Sequence, residues 1–382
     1  MNNYFVLFLV GFAGFISAAD NWIASLLLPN IASTFNITVS VASIIMTAYL
    51  VPYGLMQPIY GFYSDRYGKS KVLKLLMLCL SVSTFLCSRA GSLLWLTIFR
   101  FVTGFFAAGI IAVSLGILGE FFQKEYLAKI VGLFLGIVFL GQGISSGIGG
   151  WLIENMGWQE IFVIFSGLSF LSFLLIFLMP SIPSSENYNQ LFRSISLLLS
   201  NRDLSVIYVL AFCNGFAVLG GYSFIGSYLF HALHVRYAYV GIGLMLFGFV
   251  CFISGFVNKM LLTKLSRTFV LNMGFLSSLC SLILLSTHQL YLSYVAIPML
   301  GMGYVWVQSI LASQALDIAT NHKGLSSGLI GVGIFGGGGI GTYLGGELLK
   351  GFGYPTLFLS LAGFIVVPLM ISQLSDLWHR PC

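Results

Sequence analysis

The chain has 382 residues, of which 58% are hydrophobic and only 7% are charged, and its formal net charge is +6. Soluble domains carry roughly 25% charged residues. Together with a mean hydropathy of +0.98, this composition excludes a soluble globular protein and indicates an integral membrane protein.

Charge-poor runs of about 20 residues recur along the chain, each long enough as a helix to cross a hydrocarbon core of roughly 30 Å. The runs are too long for barrel strands and lack period-2 alternation, so helices are the expected way to satisfy the backbone. The sequence therefore predicts an all-α membrane protein with twelve transmembrane helices, at residues 4–28, 41–63, 72–88, 94–119, 129–153, 160–180, 205–230, 238–260, 268–287, 292–316, 324–349 and 354–376.

The first span carries one carboxylate, Asp20, within the stretch "GFISAADNWIASLLLPNIA". The small residues before Asp20 also fit the cleavage site of a signal peptide. A transmembrane helix is the preferred interpretation, because no basic residue precedes the apolar run and the run continues past Asp20 to Pro29.

Basic residues indicate the orientation. If the N-terminus is cytoplasmic, thirteen of the 17 Lys and Arg residues lie inside, Arg89, Arg236 and Lys350 lie outside, and Arg100 lies within a span. The positive-inside rule therefore predicts that both termini are cytoplasmic. Because topology explains the positive charge, nucleic acid is not an expected partner.

A long polar interruption at residues 180–203 falls after six spans and is predicted to be a cytoplasmic linker. Residues 196 apart match around the fifth and eleventh spans, with twelve identities over 36 positions, mostly glycines. The sequence therefore predicts an N-terminal six-helix bundle at 1–180, a linker at 181–204 and a C-terminal six-helix bundle at 205–382. Repeated halves suit an alternating-access transporter, in which one half rocks against the other.

The loop between the second and third spans reads "GFYSDRYGKSKV", residues 61–72. It resembles the G-x-x-x-D-R-x-G-R/K motif of the major facilitator superfamily and lies at the matching place in the topology. With the twelve spans and the six-plus-six repeat, the resemblance covers the whole chain. It implies the major facilitator fold.

Two further stretches resemble motifs of drug:proton antiporters. In the first span, "DNWIASLLLPNI" resembles the D-x8-P pattern, with Asp20 and Pro29 in place. In the fourth span, "LTIFRFVTGFFAAG" resembles the family's R-x-x-x-G motif, with Arg100 and Gly104. The fifth-span antiporter motif is incomplete, because "GQGISSGIGG" has the glycines but no proline.

Asp20 and Arg100 are candidates for proton coupling, because a charge at mid-bilayer costs about 2.5–3.5 kcal/mol on insertion scales. In the resembled family the first and fourth spans both line the central cavity, so we expect a buried pair. Burial favours the protonated carboxyl and a nearby arginine favours the carboxylate. Asp20 is therefore predicted to take up a proton from outside and release it inside; a static pair that orients the helices is the alternative.

The resemblance assigns gating to the loop motif and to an acid that ends the fourth span. Asp65 is expected to face the N-terminal end of the eleventh span near Ser326, and Lys69 to pair with Glu120. This cluster is expected to hold the cytoplasmic side closed in the outward-open state. The gating residues are Gly61, Asp65, Arg66, Gly68, Lys69 and Glu120.

Candidate substrate contacts are polar or aromatic residues at mid-depth in spans one, four, seven and ten. The 35 Phe and 18 Tyr residues favour an apolar aromatic cavity suited to amphipathic compounds. The candidates are Asn21, Asn214, Tyr222, Trp306 and Gln308.

The sequence thus predicts a secondary transporter that exports a small amphipathic molecule in exchange for protons. A proton symporter or facilitator that imports a metabolite stays open, because the fifth span lacks the antiporter proline. A membrane enzyme or receptor would need His, Cys or acidic residues clustered at one membrane face, and the sequence shows no such cluster. The six cysteines form no CxxC pair, so no metal or cofactor is expected. A bacterial inner membrane and a monomer are the expected setting.

Overall fold

The computed structural model describes residues 3–180, 191–319 and 323–374, and within these ranges the regular structure is helical, with no strand. The all-α fold predicted from the sequence is therefore confirmed. The helices are α1 (Asn3–Thr34), α2 (Val39–Ala42), α3 (Ile44–Tyr67), α4 (Lys69–Ser88), α5 (Leu93–Phe121), α6 (Lys124–Asn155), α7 (Trp158–Ile176), α8 (Leu191–Ser200), α9 (Arg202–Asn214), α10 (Gly220–Ser227), α11 (Tyr237–Leu261), α12 (Arg267–Leu285), α13 (Leu290–Ile318) and α14 (Lys323–Leu374).

Eleven of the described helical stretches are long and apolar enough to cross a membrane, and the last of them, Gly324–Gln373, has 50 residues. At 1.5 Å per residue it is about 75 Å long, more than twice the thickness of a hydrocarbon core. It is interrupted at Gly353, whose φ of 80° is a conformation that glycine adopts without strain. The break falls between the predicted eleventh and twelfth spans, so α14 accounts for both.

The predicted seventh span is not one regular helix. Two π-helical segments, Gly215–Leu219 and Tyr228–Ala232, follow α9 and α10. Each π-turn widens the helix locally and rotates the residues that follow it. An apolar run in the sequence gives no sign of these changes of register.

Helix α1 is central in the molecule. It continues without a break through Asp20 and Pro29, and nearly all of its residues from Val6 to Ala32 are buried. Its neighbours include α5, α6, α7 and α10. A polar group in the middle of α1 is therefore enclosed by protein and is shielded from lipid.

The predicted linker lies partly outside the described residues, at 181–190. Its remainder forms a short helix, α8, in which Leu198 is buried whereas Leu197 and Leu199 are exposed. The next helix, α9, begins at Arg202, two residues before the predicted end of the linker. Helix α8 was not predicted from the sequence, and the division into two six-helix bundles stays a prediction.

Glycines bring α6 and α11 into backbone contact. Gly143 packs against Gly248, and Gly150 packs against Gly241. A side chain at Gly150, Gly241 or Gly248 would collide with the backbone of the facing helix, and one at Gly143 would lie unusually close to it. Glycines in the fifth span thus allow close helix approach, as small residues do in other membrane helices.

Candidate transport site

A cavity of about 670 Å³ lies between α1, α3, α5, α6, α13 and α14. It extends from Asn21 and Trp22, in the middle of α1, to Asp65 and Lys69 at the loop that joins α3 to α4. Helix α8 also contributes to its wall through Leu191. The cavity therefore opens at the end of the molecule where the loop motif lies.

Helix contacts close the other end of this cavity. The rings of Trp22 and Tyr222 meet edge to face, with their centroids 4.9 Å apart. Further out, Ser40 Oγ donates a hydrogen bond of 2.8 Å to the carbonyl oxygen of Gly346. In the part of the chain that the structure describes, the cavity is thus open at the loop-motif end and closed at the other end.

Asp20 and Arg100 form an ion pair without exposed surface, with Arg100 Nη1 3.2 Å from Asp20 Oδ2. Thr84 Oγ1 donates to the other carboxylate oxygen at 3.0 Å. Arg100 Nη2 also donates to the main-chain carbonyl of Asn21 at 3.4 Å. The contact predicted from the sequence is present, and it connects α1 to α4 and α5.

Two aromatic rings pack against the Arg100 guanidinium. Its central carbon lies 4.2 Å from the centroid of Tyr49 and 5.7 Å from that of Phe162, a favourable cation–π arrangement. Gly104 leaves room for the backbone of Tyr49 to approach α5. Tyr49 stacks on Tyr53, which lines the cavity. The two tyrosines therefore connect the Asp20–Arg100 ion pair to the cavity wall by direct contacts.

The Asp20–Arg100 pair lies beside the cavity and does not line it. Spans one and four do line the cavity, but neither Asp20 nor Arg100 belongs to its described wall. On α1, Ala18, Asn21 and Trp22 have the spacing of one helix face and line the cavity. Asp20 lies on another face and contacts α4 and α5, so the carboxylate is separated from the cavity by the body of α1.

Lys69 is the centre of the gating cluster. Its Nζ lies 3.0 Å from Asp65 Oδ1 and 2.7 Å from Glu120 Oε1, so the predicted pair with Glu120 is formed. Asp65 thus contacts Lys69, while the Ser326 hydroxyl lies 2.8 Å from the Tyr208 hydroxyl. The expected approach of Asp65 to the helix end near Ser326 stays a prediction.

The other residues of the loop motif have local roles. Gly68 joins α3 to α4 with a φ of 92°, which a residue with a side chain adopts only with strain. Gly61 lines the cavity, with open space where a side chain would begin. The Arg66 guanidinium lies 5.4 Å from the centroid of the Tyr67 ring.

Two of the five candidate substrate contacts, Asn21 and Gln308, line the cavity. Asn214, Tyr222 and Trp306 are buried between helices and lie outside its described wall. Substrate contact stays a prediction for all five, and the geometry of this state favours the first two.

Sequence reasoning missed most of the cavity wall. Two glutamines, Gln57 and Gln142, carry the same signal as Asn21, an uncharged amide within an apolar run, but they lie in spans two and five, from which no candidate substrate contact was predicted. The aromatic residues carry no such signal, because aromatics occur along the whole chain. The carboxamide and aromatic wall residues that were not predicted are Trp22, Tyr53, Gln57, Phe62, Phe139, Gln142, Tyr304 and Phe335.

A many-helix membrane fold around one central cavity, open at one end and closed at the other, is the architecture of a transporter. The model of the Major Facilitator Superfamily matches residues 10–342. The chain belongs to this superfamily and is a multi-pass membrane transporter.

Comparison with known proteins does not fix the substrate. The chain is 28% identical over 197 residues to "Riboflavin transporter RibZ" of Clostridioides difficile (strain 630), covering 51% of this chain and 43% of RibZ. It is 28% identical over 152 residues to "Multidrug transporter protein MdtP" of Bacillus subtilis (strain 168), covering 40% and 28%. The chain therefore matches less than half the length of either relative.

The fold resembles a solved structure over its whole length. A bacterial homolog to the human lysosomal transporter Spinster, in an inward-facing and unoccupied conformation, superposes with a TM-score of 0.79. The match covers 100% of this chain and 99% of that one at 15% identity. At that identity the likeness describes the fold.

Proposed function

We propose that the chain is a secondary active transporter that exports small amphipathic molecules in exchange for protons by alternating access. The observation that carries the proposal is the buried Asp20–Arg100 pair, one residue along α1 from the cavity-lining Asn21. Ionisable groups inside a membrane protein are costly and mark ion and proton pathways. A buried carboxylate on the opposite side of a helix that forms part of the cavity wall supports coupling of proton and substrate.

Arg100 provides the connection between the carboxylate and the wall. Its guanidinium donates both to Asp20 Oδ2 and to the main-chain carbonyl of Asn21. When Asp20 takes up a proton, the attraction between the two charges is lost. The Arg100 cation is then held by hydrogen bonds to uncharged acceptors and by its contacts with the rings of Tyr49 and Phe162. Arg100 then changes its contact with the Asn21 carbonyl, and this part of the wall moves with it.

In the proposed cycle, proton and substrate occupy the protein alternately. With the cavity open to the cytoplasm, Asp20 releases its proton and the substrate enters. After the change to the outward-open state, the substrate leaves and Asp20 takes up a proton from outside. One proton moving in thus exchanges for one substrate moving out.

The cluster around Lys69 is the proposed cytoplasmic gate. Asp65 and the first turn of α14, which includes Gly324, both line the mouth of the cavity. Closing this end requires the two elements to approach, and a carboxylate near a helix N-terminus is electrostatically favoured. Asp65 near Ser326 is therefore the contact we propose for the outward-open state.

The moving units are the two proposed bundles at 1–180 and 205–382. Backbone contacts through glycine between α6 and α11, and between α3 and α14 at Gly54 and Gly336, support a sliding interface. We further propose that the protein works as a monomer in the bacterial inner membrane with both termini in the cytoplasm. The distribution of basic residues supports this orientation.

Import by proton symport or facilitated diffusion is the second candidate. The missing proline in the fifth span favours it, since that proline belongs to the antiporter motif the chain otherwise resembles. The D-x8-P pattern of Asp20 and Pro29, which resembles that of drug:proton antiporters, favours export. Direction is therefore the first property to measure.

The experiment follows two fluorescent probes in energised cells: the lipophilic cation ethidium and the uncharged tricyclic lactam phenanthridinone. Cells express the wild type, Asp20→Asn, or the control Glu160→Gln, which makes the same change at an exposed carboxylate in α7. Each is measured with and without a protonophore. Because Asp20→Asn leaves Arg100 unpaired, the double variant Asp20→Asn/Arg100→Met is measured in parallel at matched membrane levels.

Proton-coupled export requires that the wild type and Glu160→Gln extrude at least one probe, that the protonophore abolishes extrusion, and that both Asp20 variants fail to extrude it. Proton-dependent accumulation of a probe would replace export by import. Extrusion that continues in the double variant would remove Asp20 from the mechanism. If the wild type moves neither probe, export of amphipathic molecules as a class is wrong.

A further inference from the structure

The cavity is lined by carboxamides from four different helices. Asn21 comes from α1, Gln57 from α3, Gln142 from α6 and Gln308 from α13. Each carboxamide offers one acceptor oxygen and two donor hydrogens. The wall can therefore pair with donors and acceptors of a ligand at the same time.

Two of these side chains are prepared for a ligand. The Oδ1 atom of Asn21 is buried and accepts no hydrogen bond from the described residues, although an unpaired buried acceptor is costly. Its main chain is fixed by Arg100. Gln57 has room because a side chain at position 331, where Gly331 stands, would collide with its amide.

Aromatic rings occupy much of the remaining wall. Tyr53 and Phe335 meet edge to face across the cavity wall with centroids 4.5 Å apart, and Trp22 and Tyr304 lie on the same cavity. Flat faces of this kind suit stacking against a planar ring system. The volume of about 670 Å³ is within the range of sites for small organic ligands.

Formal charge in the described wall is confined to the mouth. Asp65 and Lys69 are the charged residues that line the cavity in the described part of the chain, and they pair with each other at 3.0 Å. A cation or anion that entered the middle would lose its hydration without meeting an opposite charge, which is strongly unfavourable. The wall thus favours an uncharged ligand.

We propose that the cavity binds an uncharged, planar heteroaromatic molecule through an amide or imide edge, whose N–H and C=O groups pair with the carboxamides while its rings stack on the aromatic wall. This inference rests on the proposed function in taking the cavity as the substrate site, and it narrows the substrate class. Cation–π contacts with the same rings are the competing way to fill the cavity.

The test is equilibrium binding to the purified protein in detergent, which does not depend on transport. The probes share one tricyclic skeleton: phenanthridinone has the lactam N–H, N-methylphenanthridinone lacks it, and ethidium carries a positive charge. We expect saturable binding of phenanthridinone, with affinity falling about five- to tenfold for each hydrogen bond removed. Ethidium is expected to bind at least tenfold more weakly than phenanthridinone.

The variants separate recognition by carboxamides from simple burial. Gln142→Leu and Gln308→Leu are expected to weaken phenanthridinone about five- to tenfold and to leave N-methylphenanthridinone less affected. Gln314→Leu is the matched control, because Gln314 is buried on the same helix as Gln308 and lies outside the described cavity wall. Gln308→Glu adds a charge and is expected to reverse the preference towards ethidium.

Equal binding of phenanthridinone and its N-methyl derivative would overturn the proposal, as would glutamine variants that bind like Gln314→Leu. So would tighter binding of ethidium by the wild type. Binding as expected without proton-dependent transport would contradict the proposed function and support this inference. Protonophore-sensitive export of ethidium without phenanthridinone binding would support the proposed function and overturn this inference.

Discussion

Breaking the Asp20–Arg100 pair from either side should destabilise the protein strongly, whereas removing both charges should not. The two side chains have no exposed surface and lie 3.2 Å apart. With an effective dielectric constant of ~20, Coulomb's law gives an attraction of about 5 kcal/mol at that distance. Losing one partner of a buried pair costs about 3–5 kcal/mol, because the other charge is left without compensation. We therefore expect Asp20→Asn and Arg100→Met each to lower the melting temperature by about 6–10 °C, at roughly 2 °C per kcal/mol.

The assay is thermal unfolding in detergent, followed by a dye that fluoresces on reaction with thiols. The chain suits it, because Cys87, Cys213 and Cys251 are buried in the folded protein. The double variant Asp20→Asn/Arg100→Met is expected to melt within about 3 °C of the wild type, since replacing a buried pair by neutral groups is often nearly neutral.

The control for this cycle is an exposed pair. Arg236 and Glu154 lie 3.6 Å apart, and the Arg236 side chain is 77% exposed. Arg236→Met should shift the melting temperature by no more than about 2 °C, because exposed pairs contribute at most about 1 kcal/mol. The reasoning would be refuted if the melting-temperature shift of Asp20→Asn/Arg100→Met equalled the sum of the shifts of the two single variants. Such additivity would mean that the two charges do not interact.

Three further outcomes are expected. Gly150→Leu should lower the melting temperature and stop transport, because its side chain would collide with α11 at a cost of about 1–3 kcal/mol; Gly255→Ala, which faces open space, should do neither. Lys69→Met should slow probe transport while changing stability by less than about 1 kcal/mol, since both carboxylate partners are half exposed; a loss of folding instead would contradict a gating role. In a cysteine-free chain, Ala112→Cys on the cavity wall should react with a membrane-impermeant thiol reagent from the loop-motif side, and Ser40→Cys at the closed end should not; equal labelling would contradict the one-sided opening.

Several features of the candidate site could be predicted from the sequence, because charge is rare in this chain. Asp20 and Arg100 stand alone in long apolar spans, so their number of possible partners was small, and the family resemblance placed both spans at one cavity. Lys69 and Glu120 were paired by the resemblance of the loop motif. The transmembrane spans could also be predicted, because an apolar run of about 20 residues satisfies its backbone hydrogen bonds in a bilayer by forming a helix.

The face of a helix on which a residue lies was harder to predict. In a span that is apolar all round, hydrophobic periodicity does not distinguish a face towards the cavity from one towards another helix. Asp20 and Asn21 are neighbours in sequence, yet one contacts α4 and α5 and the other lines the cavity. For the same reason Asn214, Tyr222 and Trp306 were placed at a cavity whose described wall excludes them.

The sequence by itself determined that this is an all-helical membrane protein, how many times it crosses the bilayer, and which two charges are buried, because desolvation forces these outcomes locally along the chain. The tertiary structure alone decided that the cavity opens at the loop-motif end, and that Gln57 and Gln142 join Asn21 and Gln308 on its wall. The physical reason is that both depend on how distant helices pack. That packing is set by contacts between residues hundreds of positions apart, such as Ser40 with Gly346.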